Sequence, residues 1–511
     1  MRNVIQKLSL SKSLYTKGLQ CEKALWLKKY NPEVLTPPNP QLQAVFKTGN
    51  EVGELACDLF PGGETIPFQG TSFKEKISLT KKWLDEGVQT IYEATFNFDD
   101  ILVMVDILHQ NENGSFEMYE VKSSTWNEAK SINDIYKYIH DISIQYYVLT
   151  NLGYDVSDTF VTLLNTDYVR GSKIDLKGLF SSVRVTDEVL ELNRSIPSNI
   201  ERFRETLKDL KNEPKIDIGY HCNNPYECDA QHYCWSEQRQ IPEYSVFDIF
   251  PFNKNAKSLQ LYREGITAIE DIPDDFKLSK TQEIKVDIWK HQKRIINKEA
   301  IRDFVDSVRY PIYHFDFETL NPAIPKFKGL SSYEKYPFQY SVHIEHEDGT
   351  LEHKEYLAEP DKDPREEIAR KITEDIPKDS FVMAYNIGFE KSVIKKLANL
   401  FPVYSDHLMS LYDNFVDLQT PFKNRDYVTP KMKGKSSLKT ILPILVPEME
   451  KAYKDLDMVH EGGEAMEIYK KWADAEDLEL ISRYKSALIE YCKLDTLAMV
   501  KILNKLRQIC S

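Results

Sequence analysis

In the stretch YPIYHFDFETLNP (residues 310–322), Asp316 and Glu318 lie two positions apart in a run where apolar and polar residues alternate. Period-2 alternation predicts a strand. Ile312, His314, Asp316 and Glu318 then share one face, and Tyr313, Phe315 and Phe317 the other. Two neighbouring carboxylates repel unless a cation sits between them, and hard Mg²⁺ or Mn²⁺ is the natural partner. Taken alone, D-x-E equally describes the acidic solvent face of a half-buried strand. Further along, Glu390 falls in the first turn of the helical pattern GFEKSVIKKLANL, just after Asn386 ends the apolar run SFVMAYN. The helix dipole favours an acid there with or without chemistry. Tyr491 and Asp495 are four apart on a terminal helix, beside an apolar stripe through Leu488, Cys492, Met499 and Leu503. An aspartate next to a buried stripe needs a partner, which a shared metal supplies. A second constellation lies upstream. Asp106 ends one apolar strand, and Glu120 and Lys122 share a face of the next, the Asp…Glu-x-Lys set that metal-assisted phosphodiester hydrolysis uses.

Both sets need scaffolds. Around the first-half acids the order is helix, three strands (TIYEATFNF, DILVMVDILHQ, FEMYEVKSST), helix, strand, with NENG as a hairpin turn. Two helical patterns precede it, one entered through Ser11 or Ser13 and carrying Cys21, the other ended by Pro61-Gly62-Gly63. Around the second-half acids the order is three strands, helix, strand, helix, and Asp348-Gly349 marks the hairpin. Between them, LYREGITAIEDIP reads either as a helix-hairpin-helix element that meets phosphate or as a packed helical spacer. The expected class is α/β throughout: a domain over residues 1–240, a helical connector over 241–300, and a second domain over 301–511.

Seven cysteines are few for 511 residues, and Cys57, Cys492 and Cys510 read as scattered singletons. Cys222, Cys228 and Cys234 form C-x5-C-x5-C, with Cys21 alone near the start, a pattern that points to metal rather than disulfide in a cytosolic chain. At 41% hydrophobic and 29% charged, with no apolar run long enough to span a bilayer, the sequence predicts a globular cytoplasmic protein without a membrane partner. A net charge of −14 counts against a general nucleic-acid coat protein but not against a nuclease. In PFKNRDYVTPKMKGKSSLKT, Lys423, Arg425, Lys431, Lys433, Lys435 and Lys439 face one acid, Asp426, which makes this loop a nucleic-acid backbone tracker or a solvated loop.

The first half resembles the iron–sulfur branch of the RecB-type PD-(D/E)XK nucleases through Cys21, Asp106, Glu120, Lys122, Gln145, Cys222, Cys228 and Cys234. That resemblance implies a [4Fe–4S] cluster on the four cysteines, with zinc as the alternative, and a metal on Asp106 and Glu120. It also implies DNA rather than RNA as the nucleic acid, and a role in DNA processing or defence against foreign DNA. Two features depart from the family: GNEVGE offers Glu51 or Glu54 where a histidine is usual, and both cysteine spacers are five residues. The second half resembles the RNase H-like DEDDy 3′–5′ exonucleases, and more narrowly a bacterial domain-of-unknown-function family, through FDFET, YNIGFEKSVIKKLA, GKSSLKTILP and YCKLDTLAMV. It implies two divalent metals held by Asp316, Glu318, Glu390 and Asp495, and a water oriented by Tyr491. Glu390 stands where those enzymes have aspartate. The expected function is a metal-dependent nuclease. The alternative is a nucleic-acid-binding module with one or both sites inactive around a structural Fe–S or zinc centre.

Overall fold

The computed structural model describes residues 8–67, 69–250, 252 and 256–511. The chain divides into two compact units. One comprises Met1–Glu243, Phe252–Leu259 and Ala323–Tyr333; the other comprises Tyr244–Pro251, Gln260–Pro322 and Glu334–Ser511. Both are α/β with mixed sheets. No described helix is long and apolar enough to cross a membrane.

In the first unit, strand β1 (Leu10–Ser11) leads into helix α1 (Lys12–Gln20), and α2 (Glu22–Tyr30) and α3 (Pro40–Cys57) follow. Strand β2 (Glu64–Thr65), helix α4 (Phe73–Asp85), strands β3 (Thr90–Phe98), β4 (Ile101–Gln110) and β5 (Phe116–Trp126), helix α5 (Ile132–Asn151), and strands β6 (Val156–Asn165) and β7 (Phe180–Arg184) complete the sheet region. The sheet order is β2-β3-β4-β5-β6-β7, with β1 pairing alongside the start of β4. β3, β4 and β5 are antiparallel, and β5 and β6 are parallel, joined through α5. The β4–β5 ladder begins at Gln110 with Phe116 and stops at Ile107 with Tyr119. Beyond that point the Asp106 carboxylate accepts the Val121 N–H at 2.7 Å, so a side chain takes over where the backbone ladder lapses. Cys21, expected inside a helix, falls instead at the break between α1 and α2, with its backbone extended (φ −162°, ψ 118°).

The stretch expected as a connector, 241–300, contributes helix α6 (Lys280–Lys290) and the start of helix α7 (Lys298–Asp306) to the second unit. Ile288 and Ile301 enter the same core as Met499, Ile502 and Leu506. The sheet of this unit is built on β8 (Ile312–Leu320), with antiparallel β9 (Tyr336–Glu345) and β10 (Leu351–Leu357) on one side. On the other side lie parallel β11 (Phe381–Ala384) and β12 (Phe415–Asp417). The β8–β9 register slips between Pro337 and Gln339, beside Glu318. Tyr313, Phe315 and Phe317 pack against α8 (Arg365–Asp375), α9 (Gly388–Leu400) and α10 (Pro402–Asp413) through Ile368, Ile394 and Leu408. Helix α11 (Leu438–Leu445) and helix α12 (Gly462–Ala473) precede the terminal helix α13 (Leu478–Cys510), started by Asp477, whose side chain accepts from Glu479 N and Leu480 N.

α13 covers the polar face of β8 and β9. Gln339 donates to Leu488 O at 2.9 Å, and Thr496 meets Ser341 at 2.9 Å and His343 at 2.7 Å. His314, fully buried, pairs with Glu345 at 2.9 Å. The acidic face of β8 is therefore an interior surface rather than the solvent face that D-x-E alone allows.

Candidate functional site

Asp316 and Glu318 project from β8 toward α13, where Cys492, Tyr491 and Asp495 face back. Among the described residues, one set of three metal-ligating side chains brings its atoms within 4.8 Å of one another: Asp316, Glu318 and Cys492. Cys492, expected as an incidental thiol, has its sulfur 3.9 Å from Asp316 Oδ2. Gly462, opening α12, lies beside Glu318, whose Oε2 is 3.6 Å from where a Cβ would stand, an ordinary van der Waals distance.

The electrostatics are those of an under-compensated acid cluster. Burial pushes the Asp316 carboxyl well above the ordinary range, and the charges of Asp495, Glu318 and Glu390 raise it further. Glu318 is raised by burial and by Asp495, with Lys439 pulling the other way. Burial lifts Asp495 to about 6, although hydrogen bonds from Tyr453 and Tyr491 and the Lys439 charge favour its ionised form. Glu390 is pushed up to about 8, chiefly by burial, and its Oε2 is buried without a hydrogen-bond partner. A buried acceptor without a donor is costly unless something fills the gap.

Tyr491 accepts a hydrogen bond from Lys439 at 2.9 Å, and Lys439 also donates to His460 O at 2.7 Å. Its ammonium stands 4.8 Å from the Tyr491 ring centre and 4.9 Å from that of Tyr453. Burial and the surrounding acids hold the Tyr491 hydroxyl far above its usual range, so it remains a neutral phenol. Lys439, read from sequence as part of a basic loop, is thus a site residue. Tyr453, which donates to Asp495, lies in irregular chain where no periodicity marks it.

Glu390 is delivered by a strained elbow. Asn386 has φ +67°, turning the chain sharply between β11 and α9. Its N–H donates to Asp417 Oδ1 at 2.8 Å, and Lys423 bonds both Asn386 Oδ1 and Asp417 Oδ2 at 3.0 Å. Lys423 therefore braces the elbow. Arg425 donates to Thr281 at 3.0 Å, Lys433 is half-buried, and Lys431 and Lys435 are exposed.

In the first unit, Asp106, Glu120, Lys122 and Gln145 also converge. Lys122 bonds Glu120 and Asp141, each at 2.7 Å, and Gln145 donates to Glu120 Oε2. Lys12, which the sequence reading did not single out, donates to both Glu120 oxygens at 2.9 and 3.0 Å. Burial raises Glu120, but the two lysines outweigh it and bring its carboxyl down to about 2; burial and Glu120 lift Asp106 to about 7. Glu51 and Glu54 are exposed on α3, and Glu51 pairs with Lys47 at 3.9 Å.

Cys21, Cys222, Cys228 and Cys234 line one small cavity, joined by His221. Hydrogen bonds to Cys21 and Cys222 lift His221 to about 10. Burial opposes ionisation of the Cys222 thiol, but His221 and the Gly219 N–H leave it below its usual value, whereas burial raises Cys228 to about 12. His221 directly precedes Cys222, and that adjacency is the signal that could have placed it here.

A family model described as a domain of unknown function (DUF2779) matches residues 313–437, so the C-terminal half carries this domain. The matched stretch contains Asp316, Glu318, Asn386 and Glu390 and ends before Lys439, Tyr491 and Asp495. The chain is 24% identical over 383 residues to the uncharacterized protein UU173 of Ureaplasma parvum serovar 3, an alignment covering 68% of this chain and 54% of that protein. The chain thus spans about half the length of the curated relative it matches, and that relative is a distant homologue.

Proposed function

We propose that the protein is a divalent-metal-dependent nuclease, with DNA favoured over RNA, whose hydrolytic centre is the acid cluster of the second unit in an RNase H-like 3′–5′ exonuclease arrangement. The observation that carries this reading is the burial of Glu318, Glu390 and Asp495 around Asp316, with Lys439 as the cation facing them. The group fits divalent ions: the donors are carboxylates, their charges are poorly compensated, and one Glu390 oxygen has no partner. Asp316, Glu318, Glu390 and Asp495 would hold Mg²⁺ or Mn²⁺, which supplies an activated water and stabilises the leaving oxygen. Tyr491 keeps its proton and is fixed by Lys439, so its hydroxyl can orient a water for in-line attack. Lys431 and Lys435 remain exposed to meet phosphates.

The four cysteines of the first unit line one cavity and offer thiolates alone, a donor set that suits an iron–sulfur cluster, with a tetrahedral zinc site as the alternative. A [4Fe–4S] cluster held there would tie the α1–α2 break to residues 222–234.

The test is release of nucleotides from end-labelled single- and double-stranded DNA and RNA, with Mg²⁺ or Mn²⁺. The full chain is compared with an Asp316→Ala plus Glu318→Ala variant shown to be folded. Metal-dependent mononucleotide release by the unsubstituted chain alone is expected. Equal release by the folded variant removes the assignment. No release from any substrate overturns the nuclease reading, and retention of the labelled DNA by the same chain would then make it a module that grips nucleic acid without cutting it.

A further inference from the structure

The acid pair of the first unit already has a cation. Leu10 and Ser11 pair in parallel with Ile101 and Leu102, and α1 begins at the next residue with Ser11 as its N-cap. This pairing anchors the Lys12 backbone beside β4, the strand that bears Asp106. Its ammonium lies 2.9 and 3.0 Å from the two oxygens of Glu120 and 4.0 Å from Asp106 Oδ1. Each Glu120 oxygen accepts twice: Oε1 from Lys12 and Lys122, Oε2 from Lys12 and Gln145. Asp106 gives Oδ2 to the Val121 N–H. Mg²⁺ and Mn²⁺ need open carboxylate lone pairs at short range, about 2.0–2.1 Å for Mg²⁺. An ion between Asp106 and Glu120 and the Lys12 ammonium would contend for the same space.

We propose that Lys12 is a resident cation filling the seat between Asp106 and Glu120, so that this constellation takes up no divalent metal while Lys12 is in place. The first unit then contributes no metal-dependent cleavage of its own. The inference rests on reading these residues as a nuclease-type site, but its test counts bound metal and does not depend on cleavage by either unit.

The experiment uses the full chain carrying Asp316→Ala and Glu318→Ala, which silences the acid cluster of the second unit. Mn²⁺ binding is followed by loss of the free-ion electron paramagnetic resonance signal. With Lys12 present, adding Asp106→Asn should leave the Mn²⁺ stoichiometry unchanged. Replacing Lys12 by alanine should add one Mn²⁺ per chain, and Asp106→Asn should remove it again. Mn²⁺ binding that is present with Lys12 and lost on Asp106→Asn overturns the proposal. So does a folded Lys12→Ala chain that gains no Mn²⁺. If Lys12→Ala does not fold, the Asp106→Asn comparison in the Lys12-containing chain still decides.

Discussion

Replacing Glu390 by glutamine tests whether the second-unit cluster is built for a cation. Glu390 is 3% exposed, and its carboxyl sits at about 8 against an ordinary value of 4.5. Between those values the metal-free folded chain holds a proton that the unfolded chain has released. Stability from this group is full below pH 4.5, falls as pH rises, and is gone above about pH 8. At pH 7 the difference spans about 2.5 pH units, or roughly 3 kcal/mol at about 1.36 kcal/mol per unit. Glutamine cannot ionise and keeps the shape, so the Glu390→Gln chain should lack this slope. Urea unfolding of the second unit in EDTA at pH 5, 7 and 8.5 should give converging stabilities at low pH and a more stable variant at high pH. Mn²⁺ should invert the order, because binding favours the ionised carboxylate of the unsubstituted chain. Identical pH slopes for the two chains in EDTA would refute the argument that burial holds Glu390 protonated.

Tyr491→Phe removes the oxygen that links Lys439 to the Asp495 region while keeping the ring. Turnover of end-labelled DNA should fall at least roughly tenfold with the melting temperature nearly unchanged, and an unaltered rate would make Tyr491 a packing residue. Cys21→Ser and Cys228→Ser should each lose bound iron and the visible absorbance of the cluster and lower the melting temperature of the first unit. Full iron occupancy with unchanged melting in both would remove the cage assignment.

The strand bearing Asp316 and Glu318 was legible because side chains on a strand alternate, and so was the face each residue takes. Its burial was not legible, because the helix that closes over it is the last in the chain and docks through Gln339, Ser341, His343 and Thr496. Lys439 looked like loop charge for a similar reason. A run of lysines reports composition, and only tertiary packing turns one of them inward onto Tyr491 while Lys423 braces the Asn386 elbow. Lys12 was missed because its role depends on a two-residue strand too short for any periodic signal. The apolar residues of the expected connector, 241–300, are sparse, so its sequence alone does not show that Ile288 packs into the second unit's core beside Ile301.

The two acid sites offer an internal comparison of how one chain treats buried negative charge. In the first unit, Lys12 and Lys122 lie within hydrogen-bonding distance of Glu120, and its carboxyl drops to about 2 despite being almost fully buried, whereas Asp106, 4.0 Å from Lys12, rises to about 7. In the second, Lys439 donates to a phenol and a backbone carbonyl, and Asp316, Glu318, Glu390 and Asp495 all rise. Burial alone does not explain the contrast, since Glu120 is no more exposed than Glu390. What differs is whether the fold places a cation in direct contact with a carboxylate. A site that has one gains little from a metal and must expel an ammonium to accept it. A site without one is destabilised by each ionised acid until a divalent ion arrives, so the same pH rise that weakens the metal-free second unit should strengthen its hold on Mn²⁺.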